Sequence, residues 1–246
     1  ENFEYMFSLP DTMRVLWNTL KIAVLKIAIN FPIPIIIAIL LNEVKSRKFK
    51  KSVQTIIYLP YFISWVILSG MILDIFSLDG VVNQILGNFG VNPIFFMGDK
   101  KPFLGLLIGT DVWKNFGYGT VVYFAAITSM DTSMLEAAQI DGANGFQKIR
   151  YIILPTLKPT MVVLFLFAIG GILKGNFGLF YNLVGNNSVL FSTTDIIETY
   201  VYRSMMNSFN FAQSSAVGLF QSVVGFFIVL GANAFVKHLD PDYALF

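Results

Sequence analysis

Five apolar stretches constrain this 246-residue chain most, because each approaches the ~20 residues that a helix needs to cross a bilayer core. They cover residues 15–41, 53–76, 103–129, 160–183 and 211–236. The chain is 55% hydrophobic and only 13% charged, outside the range of ordinary soluble domains. The sequence therefore predicts an all-α integral membrane protein, with five spans forming one transmembrane domain over residues 1–246.

Composition excludes several functional classes. The net charge of +2 is too small to indicate nucleic-acid binding. The chain has no cysteine and one histidine, His238, so it offers neither a thiolate metal site nor a histidine cluster. No G-x-x-x-x-G-K-[ST] phosphate loop occurs, so any ATP must be hydrolysed by another chain. We expect no catalytic residue, metal or cofactor in this chain.

Loop charges predict the orientation of the spans. A basic cluster at residues 45–51 lies between the first two spans, and the positive-inside rule places it in the cytoplasm. Residues 131–160 then fall on the same side, and the loops around 79–101 and 184–210 fall outside. The acidic N-terminus, with Glu1, Glu4 and Asp11, is predicted outside and the C-terminal tail inside, with one more membrane helix upstream.

The first span carries two features that an uninterrupted apolar helix would not have. Pro32 and Pro34 would break or kink it in the middle of the membrane. Lys26 lies deep in the same span and needs a charged partner or water.

Residues 131–160 form a polar island between two spans. Ser133 and Glu136 have capping-box spacing, which predicts a helix beginning near Met134. Gly142 stands where that helix would end, and Asn144 with Gln147 offers a second capping pair. The first helix carries too much apolar surface for a solvated loop, so we expect another protein to cover it.

Three segments of this island resemble the EAA loop of membrane subunits of binding-protein-dependent ABC importers, the carbohydrate permeases related to the maltose transporter. These segments are Glu136-Ala137-Ala138, Asp141-Gly142-Ala143 and Ile153-Leu154-Pro155. The resemblance implies the type I ABC importer transmembrane fold and a coupling helix that docks on a cytoplasmic ATPase. The residues it assigns to ATPase coupling are Glu136, Ala137, Ala138, Asp141 and Gly142. An amphipathic helix lying on lipid headgroups is the alternative, but it would favour Lys and Arg where this polar face is acidic.

The same resemblance implies the partners. They are a second permease subunit in a heterodimer, a cytoplasmic ATPase dimer that holds ATP and Mg²⁺, an extracellular solute-binding lipoprotein and an oligosaccharide substrate. The location implied is a bacterial plasma membrane. Residues 194–203 have helix-like apolar spacing and resemble the oligosaccharide-uptake branch typified by aldouronate and lipoprotein-type permeases. We assign them to docking of the binding protein.

A polar stripe in the third span contains Asp111, Lys114, Asn115 and Tyr118, which share one helix face by spacing. Each charge costs at least ~2.5 kcal/mol in a bilayer, so the two are predicted to face a wet cavity or each other. By resemblance, Asp111, Asn115 and Tyr118 occupy sugar-contacting positions. Asp111 replaces an amide there and Lys114 an apolar residue, which departs from the maltose-type pattern.

Two further groups are predicted to line the substrate pathway. Tyr58, Tyr61 and Trp65 share a face if the second span is one helix. Tyr61 matches a sugar-contacting position, whereas interfacial anchoring is preferred for Tyr58. Lys174 lies fourteen residues after Thr160, roughly 21 Å along a continuous helix and beyond the midplane.

Asn176, two residues after Lys174, resembles the family's pocket asparagine. A polar helix end reaching the outer headgroups is the alternative for Lys174.

In the last span Ser214, Gly218, Ser222 and Gly225 form a small-residue stripe that indicates close helix packing. Gln221, on that span, is a less certain pathway residue.

The function predicted is that of the permease subunit of an ATP-driven importer of a sugar, with an oligosaccharide as the expected substrate. A secondary transporter driven by an ion gradient, with Asp111 and Lys114 as the coupling pair, is the alternative. It predicts transport without nucleotide and inverted sequence halves, which are not evident. A membrane-embedded enzyme is weaker still, because no G-x-S-x-G and no pair of intramembrane aspartates of the protease kind occurs.

Overall fold

A computed structural model describes residues 11–208 and 211–241, except the side chains of residues 207, 208, 211, 213, 214 and 239. The orientation predicted from Glu1 and Glu4, the end of the C-terminal tail and the Ser214 side chain lie outside the described part. Within it, all regular secondary structure is helical.

The helices of the N-terminal half include one long helix and several shorter ones. They are α1 (Thr12–Asn30), α2 (Pro32–Glu43), α3 (Arg47–Phe62), α4 (Trp65–Ile75), α5 (Val81–Asn88) and α6 (Lys100–Thr128). The predicted break at the proline pair is confirmed: α1 ends at Asn30, and Pro32 begins α2. Proline fits there because the first helical position needs no amide hydrogen.

The helices of the C-terminal half begin with the polar island. They are α7 (Thr132–Ile140), α8 (Gly145–Lys148), α9 (Leu154–Gly170), α10 (Phe177–Val184), α11 (Ser188–Thr194), α12 (Ile197–Ser208) and α13 (Phe211–Leu239). A π-helical turn, Ile149–Ile153, joins α8 to α9 without interrupting the helical run.

Three helical runs in the described residues are long and apolar enough to cross a membrane: Thr12–Glu43, Gly145–Gly170 and Ser215–His238. The pair Arg47–Phe62 and Trp65–Ile75 makes a fourth if it counts as one broken span. The predicted third span corresponds to α6, whose 29 residues cover about 43 Å and carry Asp111 and Lys114.

Besides the first, two predicted spans are not continuous helices. The second is interrupted at Ile63 and Ser64, where the Ser64 hydroxyl accepts a hydrogen bond from the Ile67 amide at 3.3 Å and begins α4. The fourth ends at Gly170, and the Asn176 side chain begins a new helix, α10. Both new helices begin at a polar side chain that satisfies an amide of the first turn.

The described chain packs into two compact units, each with its own core. The first unit comprises residues 11–27, 63–112 and 170–227, and the second comprises 28–62, 113–169 and 228–241. The first core contains Leu68, Phe103, Leu107, Leu179 and Phe180, all fully buried.

The second core gathers residues of α2, α6, the π-helical turn and α9, including Ala38, Tyr123, Ile153 and Leu157. Glycine permits close helix approach in this unit. A Cβ on Gly117 would collide with the Ile57 carbonyl of α3, so the absence of a side chain sets the α3–α6 distance.

Candidate coupling hairpin and transport sites

The coupling hairpin, defined here as residues 131–148, begins with an aspartate cap. Asp131 accepts a hydrogen bond from the Ser133 amide at 2.9 Å, and α7 starts at Thr132. The predicted Ser133–Glu136 capping box with a start near Met134 is therefore wrong, because the carboxylate two residues earlier takes the amide. Hydrogen bonds from Ser133 lower the pKa of Asp131 below its ordinary value.

The turn of the hairpin follows the sequence prediction. Gly142 has φ of +79°, a left-handed conformation that favours glycine, and the Ala143 amide donates to the Ala138 carbonyl at 2.8 Å. Asn144 and Gln147 form a reciprocal capping box, with bonds of 2.9 and 2.8 Å. The hairpin is thus fixed by its own hydrogen bonds before any partner is considered.

The predicted coupling residues lie on the surface of the hairpin. Glu136, Ala137, Asp141 and Gly142 are exposed and Ala138 is half-buried. Neighbouring apolar side chains are exposed as well, and Ile140 is 87% exposed. A cavity of about 310 Å³ opens between the two arms and is lined in part by Ala138, Asp141 and Gly142.

In the second unit, Lys114 caps the broken end of α3. Its ammonium donates to the carbonyl oxygens of Pro60 at 3.1 Å and Tyr61 at 2.8 Å. The last carbonyls of a helix have no partner within it, so a cation there satisfies them and complements the helix dipole. The charge that the sequence left unexplained in a membrane helix therefore stabilises an interruption in another.

Two of the predicted pathway tyrosines meet beside Lys114. The rings of Tyr61 and Tyr118 stack with centroids 4.9 Å apart and planes 14° apart. The Lys114 ammonium lies 5.7 Å from the Tyr61 centroid. Tyr61 is 39% and Tyr118 54% exposed, so the stack presents ring surface to the surroundings. Asn115 follows on the same helix and is half-buried.

In the first unit, Asp111 forms an ion pair with Lys26. The ammonium and the carboxylate oxygen are 2.9 Å apart, with the Asp111 side chain almost fully buried. Lys26 therefore has the partner that a charge deep in a membrane span requires. The sequence indicated that Lys26 and Asp111 each need a partner or water. It did not predict that they pair with each other, because they are 85 positions apart.

Trp65 does not share a helix face with Tyr61, since α3 ends at Phe62 and Trp65 is the first residue of α4. Its indole ring packs in the first unit against Gly178, where a Cβ would lie 2.9 Å from the ring. Trp65 therefore lies in a close contact between α4 and α10.

Lys174 and Asn176 lie in the connection between α9 and α10. The helix ends at Gly170, so the distance expected for Lys174 along a continuous helix is wrong. Lys174 is exposed. The Asn176 side chain accepts from the Leu179 amide at 3.2 Å, which places it at the first turn of α10.

A polar group beside this connection, in the first unit, contains Gln221, which the sequence indicated, and Glu198, which it did not assign to the pathway. Glu198 accepts hydrogen bonds from the Gly175 amide and, at 3.5 Å, from Gln221. Gln221 also donates to the Leu173 carbonyl at 2.7 Å. Burial raises the pKa of Glu198 above its ordinary value, and these hydrogen bonds oppose the shift. The signal available in the sequence was Glu198, an acidic residue within a segment of helix-like apolar spacing.

The outer segment, defined here as residues 185–208, is closed by a buried ion pair. Arg203 binds Asp195, and its guanidinium lies 4.0 Å from the Phe191 ring centroid. The Thr199 hydroxyl donates to Asp195 at 2.9 Å. Of residues 194–203, whose apolar spacing is helix-like, residues 197–203 lie in α12, whereas Thr194 ends α11 and Asp195 and Ile196 connect the two helices.

Side-chain hydrogen bonds join the outer segment to the rest of the first unit. Asn187 donates to the Met97 carbonyl at 2.9 Å, and Asn18 donates to the Ser192 carbonyl at 3.2 Å. The Ile197 amide donates to the Thr19 hydroxyl at 3.1 Å. The segment is therefore part of the packed unit.

Comparison with characterised proteins gives consistent results. Protein LplB of Bacillus subtilis is 37% identical over 98% of this chain and 75% of its own length. The polygalacturonan/rhamnogalacturonan transport system permease protein YteP of the same organism is 38% identical over the same shares.

Solved structures share the fold. A crystal structure of a bacterial ABC transporter involved in import of the acidic polysaccharide alginate matches with TM-score 0.92 and 36% identity, covering 97% of this chain and 83% of that one. An amino acid ABC transporter matches with TM-score 0.58 and 14% identity, which shows the fold alone.

The family model for binding-protein-dependent transport system inner membrane components matches residues 31–244. With the helical spans, the hairpin and these relatives on one chain, the protein belongs to that family and has the transmembrane-domain fold of ABC importers.

Proposed function

We propose that this chain is one membrane subunit of an ATP-driven importer that carries an oligosaccharide inward across a bacterial plasma membrane. YteP is named for polygalacturonan and rhamnogalacturonan transport, and the matching crystal structure for alginate import. A lactose transport permease of Rhizobium radiobacter is 30% identical over 86% of this chain. All of these names specify a carbohydrate, but each specifies a different one.

The observation that carries ATP coupling is the exposed apolar surface of the coupling hairpin. Its internal hydrogen bonds fix its shape, while Met134 and Ile140 remain exposed. Apolar side chains on a rigid polar loop are favourable only when a partner buries them. We assign that partner to a cytoplasmic ATPase dimer holding ATP and Mg²⁺, with the hairpin transmitting its closure to the spans.

Carbohydrate binding is supported by the stacked tyrosines of the second unit. Aromatic rings cover the apolar C–H faces of pyranosides, and nearby polar groups satisfy the hydroxyls. Tyr61 and Tyr118 supply the rings. Lys114 and Asn115 lie about one turn before Tyr118, on the same face of α6. We assign these four residues to substrate contact.

In the first unit, we assign Asp111, Trp65, Lys174 and Asn176 to the pathway with different roles. Lys26 neutralises Asp111, so that pair adds polarity without net charge. Trp65 and Asn176 shape the start of α4 and of α10. Lys174 is exposed, and its positive charge suits an anionic sugar.

The remaining partners complete the importer. We assign the outer segment to docking of an extracellular solute-binding lipoprotein and expect a second, different permease subunit. The basic cluster at residues 45–51 supports a cytoplasmic location for the coupling hairpin and the C-terminus. Alternating access then follows: the binding protein delivers the sugar outside while the ATPases close inside.

Reconstitution tests this function. The complete complex, with its own ATPase and binding protein, is placed in proteoliposomes, and uptake of radiolabelled pentasaccharides of galacturonate, mannuronate, galactose and arabinose is measured. We expect uptake of at least one only when ATP and Mg²⁺ are present on the ATPase side. Uptake driven by an ion gradient without nucleotide would establish the secondary-transporter alternative and overturn the proposal.

A variant separates a substrate-contacting tyrosine from a structural one. Tyr118→Ala should change which pentasaccharide is carried while the complex still assembles, because more than half of that side chain is exposed. Loss of the assembled complex would show that the tyrosine stack is structural.

A further inference from the structure

A cavity of about 350 Å³ lies in the first unit, apart from the tyrosine stack. It is formed by the start of α10, by α12 and by α13, and Phe177, Glu198, Tyr202, Met205, Gly218 and Gln221 line it. Its volume falls within the range of small-molecule sites, which run from about 300 to 1,000 Å³. None of these residues belongs to the predicted pathway set except Gln221.

The aromatic wall of this cavity is held rigid by three rings. Phe177 and Tyr181 stack with centroids 5.0 Å apart, and Tyr202 meets both edge-on at 5.0 and 5.2 Å. Interaction with the neighbouring Tyr181 hydroxyl raises the pKa of Tyr202. Phe177 and Tyr202 therefore present preset apolar surface to the cavity.

The polar wall is formed by the Glu198 carboxyl group and the Gln221 amide. Glu198 Oε1 accepts hydrogen bonds from the Gly175 amide and from Gln221, whereas Oε2 is buried away from the cavity. The Gln221 contact of 3.5 Å is at the outer limit of a hydrogen bond, so a ligand hydroxyl can replace it at little cost.

Two ligand classes suit aromatic rings beside a carboxyl group: sugars and organic cations. A cation needs a carboxylate oxygen that is free to face it, but Glu198 Oε1 already accepts from Gly175 and Gln221, and Oε2 is buried. Hydroxyl groups need a donor and an acceptor and no net charge. The Gln221 amide, a neutral group at the same wall, adds to that preference.

We propose that this cavity is a second carbohydrate subsite, in which Phe177 and Tyr202 cover one sugar ring while Glu198 and Gln221 bind its hydroxyls. The subsite rests on the proposed import of oligosaccharides and deepens it, because it adds a sugar-ring contact to the tyrosine stack's own. It is formed entirely by the first unit.

Obstruction of the cavity tests the subsite in the complete reconstituted complex. Gly218→Phe introduces a ring where an added Cβ meets nothing within 4 Å, so the change fills the cavity without a collision at the backbone. Gly231→Phe is the matched control, since Gly231 lies on the same helix, is equally open and does not line the cavity. The readout is the concentration of the transported pentasaccharide, delivered with its binding protein, that gives half-maximal uptake.

We expect Gly218→Phe to raise that concentration at least about tenfold, which corresponds to the loss of about 1.4 kcal/mol of binding. Gly231→Phe should leave it within about twofold. Equal effects of the two variants, or no effect of Gly218→Phe on a complex that assembles, would overturn the subsite. No uptake by the unaltered complex would instead contradict the proposed function itself.

Isosteric variants then test the ligand class and remain informative if Gly218→Phe fails to assemble. Glu198→Gln should keep half-maximal uptake within about threefold, because an amide still binds hydroxyls, whereas Gln221→Leu should raise it about tenfold. Val223→Leu, on the exposed side of α13, is the control for that helix. A loss as large in Glu198→Gln as in Gln221→Leu would show that charge is needed, and a cation site would replace the sugar subsite.

Discussion

The coupling hairpin and the outer segment are both non-spanning parts of the chain, and they are built in opposite ways. The hairpin exposes apolar side chains such as Ile140, whereas the outer segment buries polar ones such as Asp195, which is 2% exposed. The hairpin bonds its backbone groups through its own capping side chains and leaves apolar side chains exposed. The outer segment instead places polar side chains in an ion pair and hydrogen bonds within the first unit. Backbone bonds therefore fix the shape of the hairpin, and side-chain bonds hold the outer segment in its packed unit.

The largest effect is expected in the outer segment, from Asp195→Ala. The change leaves the Arg203 guanidinium without its carboxylate and removes the acceptor of the Thr199 hydroxyl. Removing one partner of a buried ion pair costs about 3–5 kcal/mol, which we expect in the free energy of unfolding measured by denaturant titration in detergent. Asp141→Ala, at an exposed hairpin position, should cost no more than about 0.5 kcal/mol. Similar losses for the two would remove the contrast.

The second prediction concerns binding by the hairpin. Ile140→Ser should weaken capture of the ATPase by about tenfold to a hundredfold, since burial of a large aliphatic side chain contributes about 1.5–3 kcal/mol. The stability of the isolated subunit should not change, because Ile140 is already exposed. Affinity is measured on the detergent-purified subunit by titration with the ATPase. Leu135→Ser, at a position packed on the second core, should instead lower stability. Unaltered ATPase affinity in Ile140→Ser would argue against docking through this face.

A smaller effect is expected at the hairpin turn. Gly142→Ala places a side chain at φ of +79°, which costs about 1–2 kcal/mol, although the space around it is open. Gly145→Ala has equal space and an ordinary helical backbone, so it should stabilise the hairpin slightly. Amide hydrogen exchange of residues 131–148 distinguishes the two. Faster exchange in both variants would mean that space rather than backbone conformation is limiting.

The smallest effects are opposite responses to pH. The pKa of Glu198 is raised by burial, so its contribution to stability is full below its ordinary value of 4.5 and decreases as pH rises through the raised value. The pKa of Asp131 is lowered by its cap, so its contribution is present above 3.8 and is lost as pH falls through the lowered value. Thermal unfolding of Glu198→Gln should therefore be less sensitive to rising pH than that of the unaltered chain, and Asp131→Asn less sensitive to acid. A steeper dependence in either variant would reverse the assigned sign.

The sequence predicted best what depends on local spacing. Gly142, the Asn144–Gln147 capping box and the interruption at Pro32 follow from neighbouring residues, and the EAA-like segments placed the chain in its family. Local rules failed where two residues could cap the same helix, since Asp131 rather than Ser133 is the N-cap of α7. They also failed at Ser64 and Asn176, polar residues that begin new helices inside apolar stretches long enough to span.

Pairings between distant residues were not predictable. Lys26 with Asp111 and Lys114 with the Pro60 and Tyr61 carbonyls each join residues more than 50 positions apart, so spacing carries no information about them. The cost of a charge in a membrane showed that partners must exist without identifying them. The same reason hid the cavity beside Glu198, since its walls come from three separate helices.

Cross-linking from the hairpin tests the central claim that its bare apolar face is an ATPase docking site. The chain contains no cysteine, so Ala137→Cys gives a unique attachment point for a photoactivated maleimide in membranes that are taking up sugar. Val189→Cys, exposed in the outer segment, is the control. We predict that position 137 yields one adduct, identified by mass spectrometry as an ATPase with a phosphate-binding loop, and that position 189 yields no such adduct. A reactive position 137 that captures no ATP-hydrolysing protein, in membranes with ongoing uptake, would contradict the account.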